Sequence, residues 1–179
     1  MKITTWNARG LNAPSKKRLL KRNLTIFDSD IILIQETKLN RDEGMKLSQK
    51  LGRWKSELQH SQGASGGLGI IWNPRQISTE LLSSQANWMG ARINSSKTDL
   101  KIIIINMYEP TPTADNLAVW KEISAFIKTL PPEIIIIGGD FNAISSKEEK
   151  QGGNTQACKS KGDFKELSLI HISEPTRPY

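Results

Sequence analysis

The sequence predicts an α/β fold, and three observations carry that prediction. Isoleucine-rich runs recur along the chain in DIILIQETK, LKIIIINMYEP and IIIIGGDFNA. Continuous β-branched runs bounded by glycine and proline suit strands covered on both faces. Segments of helical period separate several of these runs, and residues 54–93 hold shorter β-rich stretches with turns between them, the pattern of antiparallel strands. At 179 residues the chain has length for one well-buried domain.

Taken in order, KITTWNARG opens as a strand and breaks at Gly10. Pro14-Ser15 then offers an N-cap, and Leu20, Leu24 and Phe27 recur at the spacing of an amphipathic helix. DIILIQETK is the next buried strand, its apolar run stopping at Gln35-Glu36. A shorter polar helix fits Asp42 to Leu51. Strands follow around Trp54–Gln59, Gly67–Trp72, Ile77–Ser83 and Trp88–Ile93, and LKIIIINMYEP is halted at Pro110. Asn116 to Leu130 reads as a helix with Trp120, Ile123, Ile127 and Leu130 on one stripe, ended by Pro131. The last strand, residues 134–137, runs into Gly138-Gly139, where glycine permits tight turning or close approach of another group. Ser145 to Asp163 is polar and reads as a loop.

Composition narrows the function classes. The longest apolar runs are only a few residues, far short of a membrane span. The chain opens directly into strand-like KITTW, without the pattern of a signal peptide. Cys158 is the only cysteine, which excludes an internal disulfide and a cysteine-cluster zinc site; an intracellular location is the expectation. The net charge of +7 is uneven, with 13 Lys and Arg against 6 Asp and Glu in residues 1–60 and a neutral remainder. A basic first third is compatible with a polyanionic partner such as nucleic acid. Lys16, Lys17, Arg18, Lys21 and Arg22 read as a solvated helix face.

Four strands end alike, in an apolar run followed by polar residues: Asn7, Glu36, Tyr108, and Asp140 with Asn142. Each alone has a plain reading as a turn former, a solvated acid or an edge tyrosine. Together they have another, because strands joined through helices run parallel and gather such ends at one rim, where open α/β sheets bind ligands. Those residue types suit phosphodiester hydrolysis with one hard cation, Mg²⁺ with Mn²⁺ as a substitute, since Mg²⁺ takes one or two carboxylates, waters and substrate phosphate. In that reading Glu36 holds the metal with Asn7 close by. Asp140 aligns and deprotonates the attacking water, while Asn142 and Tyr108 donate to the phosphate.

In order, WNARGL, IQETK, SGGLGIIW, NMYEP and GGDFNA resemble the endonuclease/exonuclease/phosphatase superfamily. They are most similar to the apurinic-type endonuclease domain of LINE-like non-LTR retrotransposons, particularly those of plants. The resemblance covers roughly residues 1–166. It implies a four-layer sandwich of two packed mixed β-sheets flanked by helices, and a Mg²⁺-dependent nuclease that nicks DNA, in the nucleus when the target is genomic. It assigns Asn7 and Glu36 to the metal site, and Tyr108, Asp140 and Asn142 to phosphate binding and water activation. A reverse transcriptase downstream in the same polyprotein is the implied partner. Abasic-site repair enzymes carry an acidic or amide residue two positions after this asparagine; here Arg9 stands there, as in the retroelement pattern, either a DNA-phosphate contact or an exposed turn residue. Two other functions compete: a superfamily phosphatase or phosphodiesterase on a small phosphorylated substrate, and a non-catalytic nucleic-acid-binding remnant. Trp6 and Trp72 read as core, and Trp88 is left between core and base stacking.

The superfamily pattern also needs a further strand pair and a closing Ser-Asp-His motif. His60 lies too early and reads as a surface or loop residue; His171, in LIHISEP, has no aspartate before it. Residues 167–177, LSLIHISEPTR, are what one reading frame of a transposase-type sequencing adapter encodes, the alternative being a native amphiphilic strand with a Pro-rich turn. The expected division is therefore a partial domain over 1–166, incomplete at its C-terminus, and a non-native tail over 167–179, with the chain as written inactive and poorly stable.

Overall fold

The computed structural model describes residues 1–61, 66–109 and 116–142. Strand β1 (Ile3–Asn7) leads through helix α1 (Pro14–Ile26) to β2 (Ile31–Gln35), and helix α2 (Arg41–Lys50) leads to β3 (Lys55–Gln59) and β4 (Leu68–Trp72). Then come β5 (Ile77–Gln85), β6 (Trp88–Ser95), β7 (Lys101–Tyr108), helix α3 (Asn116–Lys128) and β8 (Ile134–Asp140). The expected loop over 145–163, His171 and the tail over 167–179 lie outside the described residues.

The chain divides into two compact units, Met1–Tyr108 with Thr129–Phe141, and Glu109–Lys128 with Asn142–Tyr179. Among the described residues the first unit holds two mixed four-stranded sheets, ordered β1-β2-β4-β3 and β5-β6-β7-β8. In each, one strand pair joined through a helix is parallel, β1 with β2 and β7 with β8, and the hairpin-connected strands are antiparallel. In the second unit, α3 buries Val119, Trp120 and Ile123.

Period-two alternation sorts the side chains of β2 onto two cores. Ile32 and Ile34 face outward onto Leu20 and Leu24 of α1 and onto Leu47 with Leu51 at the end of α2. Ile31 and Leu33 face inward, against Met89, Ala91, Ile93, Ile102 and Ile104 of the other sheet. The α/β sandwich with flanking helices is therefore the one expected. Trp72 is core, Trp88 is only 2% exposed, which settles it as buried, and Trp6 packs on the helix side of its sheet. His60 is exposed and rests against Gly44 of α2.

Two local expectations need correction. Ser15 does not cap α1; Ala13 holds that position without a side-chain bond and Pro14 starts the helix, where its fixed φ and missing N–H cost nothing. Phe27 leaves the apolar stripe, standing at the C-cap and 41% exposed. By contrast α2 has a complete capping box, Asn40 accepting from the Glu43 amide and the Glu43 carboxylate accepting from the Asn40 amide. Among the described residues no helix is long and apolar enough to cross a membrane.

Candidate active site

Asn7, Glu36, Tyr108 and Asp140, all of the first unit, meet where β1 and β8 approach each other. β1 is an edge of the first sheet, β8 is an edge of the second among the described residues, and β8 faces β1 and β2 across the sandwich. The inner row of β7 runs Ile102, Ile104, Asn106, Tyr108, and the register sets Tyr108 beside Asp140 of β8. Asn7 ends β1 in the parallel register that sets it beside Gln35.

The double glycine explains why Asp140 reaches this point. Gly138 and Gly139 lie inside β8 and do not form a turn. A Cβ on Gly138 would stand 2.9 Å from Leu33 Cδ1 of the other sheet, and one on Gly139 would stand 1.9 Å from the Met107 carbonyl oxygen. Close approach, rather than tight turning, is what the glycines provide.

Glu36 arrives by a different device. Continued alternation would turn it outward with Ile32 and Ile34, under the helices. Instead its φ is +50°, and Lys38 two residues on has φ +54°. Left-handed backbone is uncommon for such residues and persists where neighbouring contacts enforce it. Those contacts are Gly10 N–H to Glu36 O at 2.7 Å, Leu11 N–H to Thr37 O at 2.8 Å, and Thr37 and Lys38 N–H to Gly67 and Gly66 O, each at 3.0 Å. The SGGLGIIW glycines thus clamp the turn that aims the carboxylate.

One amide joins the groups. Asn7 Nδ2 donates to Glu36 Oε1 at 2.8 Å and also, at close range, to Asp140 Oδ2. Asn7 Oδ1 accepts from the Arg9 backbone N–H at 2.9 Å, which fixes the amide's orientation. Burial, and then the Glu36 and Asp140 charges, raise the Tyr108 phenol above its ordinary range, with a hydrogen bond to Glu36 contributing. The phenol, protonated at neutral pH as any ordinary tyrosine is, is a donor. Asn142 belongs to the second unit, where it adopts φ +42° and donates to the Glu109 carbonyl at 2.5 Å.

Four neighbours were not singled out from the sequence as site residues. Lys38 Nζ lies 3.6 Å from Glu36 Oε2, and the signal for it was its place in IQETK. Lys16 turns from the basic face of α1 to donate to the Ala8 carbonyl at 3.0 Å; Arg18, Lys21 and Arg22 are solvated as expected. Gln35 and Asn106, both buried amides, bond to each other at 2.6 Å beneath the site. Arg9 is exposed at the rim with φ +47°.

The donor set fits a hard divalent cation. Two carboxylates from different sheets converge on a single amide N–H₂, leaving excess negative charge on oxygen ligands. Among the described residues no group of three or more His, Cys, Asp and Glu gathers to hold a metal. Mg²⁺ needs no such cage, because it keeps waters and takes few protein carboxylates.

Comparison with known proteins identifies the family and the fold. Residues 4–169 match the profile of the Endonuclease/Exonuclease/phosphatase family. No curated protein matches the chain by sequence. Among solved structures, the 3′ phosphatase NExo from Neisseria bound to product DNA hairpin is similar with TM-score 0.68 and 19% identity, over 95% of this chain and 71% of that one. The AP endonuclease LMAP from Leishmania major is similar with TM-score 0.69 and 16% identity, over 94% and 66%. The endonuclease domain of TRAS1, a telomere-specific non-LTR retrotransposon, has TM-score 0.68 and 16% identity, over 93% and 71%.

Proposed function

Because this chain belongs to the endonuclease/exonuclease/phosphatase family, whose members are hydrolases acting on phosphodiester bonds, we propose that it is built to nick DNA as the endonuclease domain of a LINE-like retroelement. The observation that carries the reading is the Asn7 amide shared between Glu36 and Asp140, a junction of two carboxylates suited to one Mg²⁺ and a phosphate. Glu36 and Asn7 would hold the cation, with Mn²⁺ a substitute. Bound there, it would supply a Lewis acid to the phosphate and offset charge on the departing oxygen. Asp140, its Oδ2 fixed by Asn7, aligns the attacking water and takes its proton. Tyr108, a protonated phenol beside Asp140, donates to a non-bridging phosphate oxygen, where charge grows in the transition state. Asn142 is the second donor in this reading.

DNA is favoured over a small phosphorylated substrate by the basic first third of the chain, 13 Lys and Arg against 6 Asp and Glu, and by exposed Arg9 beside Asn7. A long polyanion gains from cations spread beyond the reacting phosphate. Arg9 in the motif N-x-R-G-L supports the retroelement branch over abasic-site repair. Acting on genomic DNA, the domain works in the nucleus, with a reverse transcriptase of the same polyprotein as its partner. The test sets nicking of supercoiled plasmid against phosphate release from inositol phosphates, for residues 1–179 and for a longer chain that contains them. We expect Mg²⁺-dependent nicking by the latter. Robust phosphate release without nicking would overturn the reading in favour of a small-substrate phosphatase, and salt-dependent DNA binding without turnover would overturn it in favour of a binding remnant.

A further inference from the structure

Among the described residues the core between the two sheets is apolar, mainly isoleucine with leucine, methionine, Ala91 and Trp72, except at one level. There Gln35 of β2 and Asn106 of β7, 1% and 0% exposed, face each other across the two sheets. Gln35 Nε2 donates to Asn106 Oδ1 at 2.6 Å, and Asn106 Nδ2 donates to the Ile34 and Gly69 carbonyls at 3.0 and 2.9 Å. Ile34 and Gly69 are the final paired residues of β2 and β4, so the Asn106 side chain closes the end of that ladder from the opposite sheet. Gln35 is tied to β1 as well, through Thr5 Oγ1 at 3.1 Å. Both Nδ2 hydrogens of Asn106 are thereby used, and its Oδ1 accepts from Gln35.

Buried amides are costly unless fully bonded, and an apolar pair would fill this space without that requirement. What the amides add is a fixed registration of one sheet on the other. The level at which they sit matters. Glu36 follows Gln35 directly, and Tyr108 lies next along the same inner row as Asn106. Asn7 must span from Glu36 in one sheet to Asp140 in the other, a distance set by how the two sheets are held here.

We infer that Gln35 and Asn106 are positioning residues, an inter-sheet lock that fixes the separation of Glu36 and Asn7 from Tyr108 and Asp140. The inference rests on the proposed function only for the use made of that geometry. Its test uses the full chain and does not require turnover. Gln35→Met removes the link between the amides but leaves the two Asn106 bonds that close the ladder; Thr5→Val, at an exposed position, unties Gln35 from β1 more gently. The control is Ile104→Val, or a smaller residue there chosen to match the loss of Tm, because Ile104 lies in the same inner row one level deeper. Two quantities are read: the NMR positions of the Asn7 side-chain amide protons, and the affinity for Mn²⁺ by electron paramagnetic resonance.

The lock predicts that Gln35→Met shifts the Asn7 amide signals away from their doubly bonded positions and weakens Mn²⁺ binding roughly 10–100-fold, the usual range for residues supporting a metal ligand. Thr5→Val shifts them in the same direction by less, and the matched control leaves both unchanged. If Gln35→Met does not fold, Thr5→Val decides. Equal effects in the lock variants and the control, or none in either, would overturn the inference. Should the unaltered chain bind no Mn²⁺, the metal reading fails, and the Asn7 signals alone decide the lock.

Discussion

At the scale of single residues, Glu36 shows a conflict between fold and function. Its φ of +50° is sterically unfavourable for a glutamate, and its carboxylate shares the Asn7 amide with that of Asp140. Stability alone would select asparagine or glycine for the left-handed conformation and a neutral group beside Asp140. We therefore predict that Glu36→Asn, measured by urea unfolding in the presence of a chelator, costs no stability and gains up to about 1 kcal/mol. The same substitution should remove metal binding and nicking. A clear loss of stability would mean that the turn is not strained and that Glu36 serves the fold. The identity of this residue was legible in the sequence, as a carboxylate after a buried strand, but its aim was not. Period-two alternation points it under the helices, and only the positive φ, enforced by backbone bonds from Gly66, Gly67 and Gly10, turns it to the rim. Lys38 and Lys16 escaped for a related reason: a lysine near a strand end or on a helix gives no sign of which carboxylate or carbonyl its long side chain will reach.

At the scale of elements, the two glycines of β8 differ in what they protect. A Cβ at Gly139 would meet backbone, the Met107 carbonyl oxygen at 1.9 Å, with φ at +153°; one at Gly138 would meet the end of the Leu33 side chain at 2.9 Å. Backbone cannot yield inside a paired ladder, whereas a leucine can change rotamer. Gly139→Ala should therefore cost at least about 3 kcal/mol by urea unfolding, and Gly138→Ala about 1 kcal/mol. Equal costs would contradict the role assigned to the β7–β8 ladder. The sequence located this strand from its isoleucines and its helices from their apolar stripes, because burial on both faces and helical period leave marks in one dimension. It missed the cap of α1, where proline at the first helical position matters more than the serine after it, and the exit of Phe27 at the C-cap. Capping geometry depends on the direction in which the chain enters and leaves, which composition does not record.

At the scale of the whole molecule, what mattered for function was how two sheets face each other. The motif order led to the family and its two-sheet architecture. No periodicity along the chain states that β8 of one sheet lies over β1 and β2 of the other, and so the pairing of Asp140 with Asn7 followed only from the folded chain. For the same reason Gln35 looked like the polar end of a strand and Asn106 like one letter of NMYEP, whereas both are interior and bonded to each other. Among the described residues, the facing strands β1 and β8 thus bring Glu36 and Asp140 together, with Asn7 as the joint. The central claim is that Glu36 at this joint holds the cation required for phosphodiester cleavage. It is tested most directly by measuring single-turnover nicking of supercoiled plasmid against Mg²⁺ concentration, for the domain and for Glu36→Gln, which keeps shape and removes charge. The account predicts saturable Mg²⁺ dependence in the parent and a loss of at least roughly 10²-fold at saturating Mg²⁺ in the variant. Nicking by Glu36→Gln at the parent's rate, or nicking by either protein in excess chelator, would contradict it.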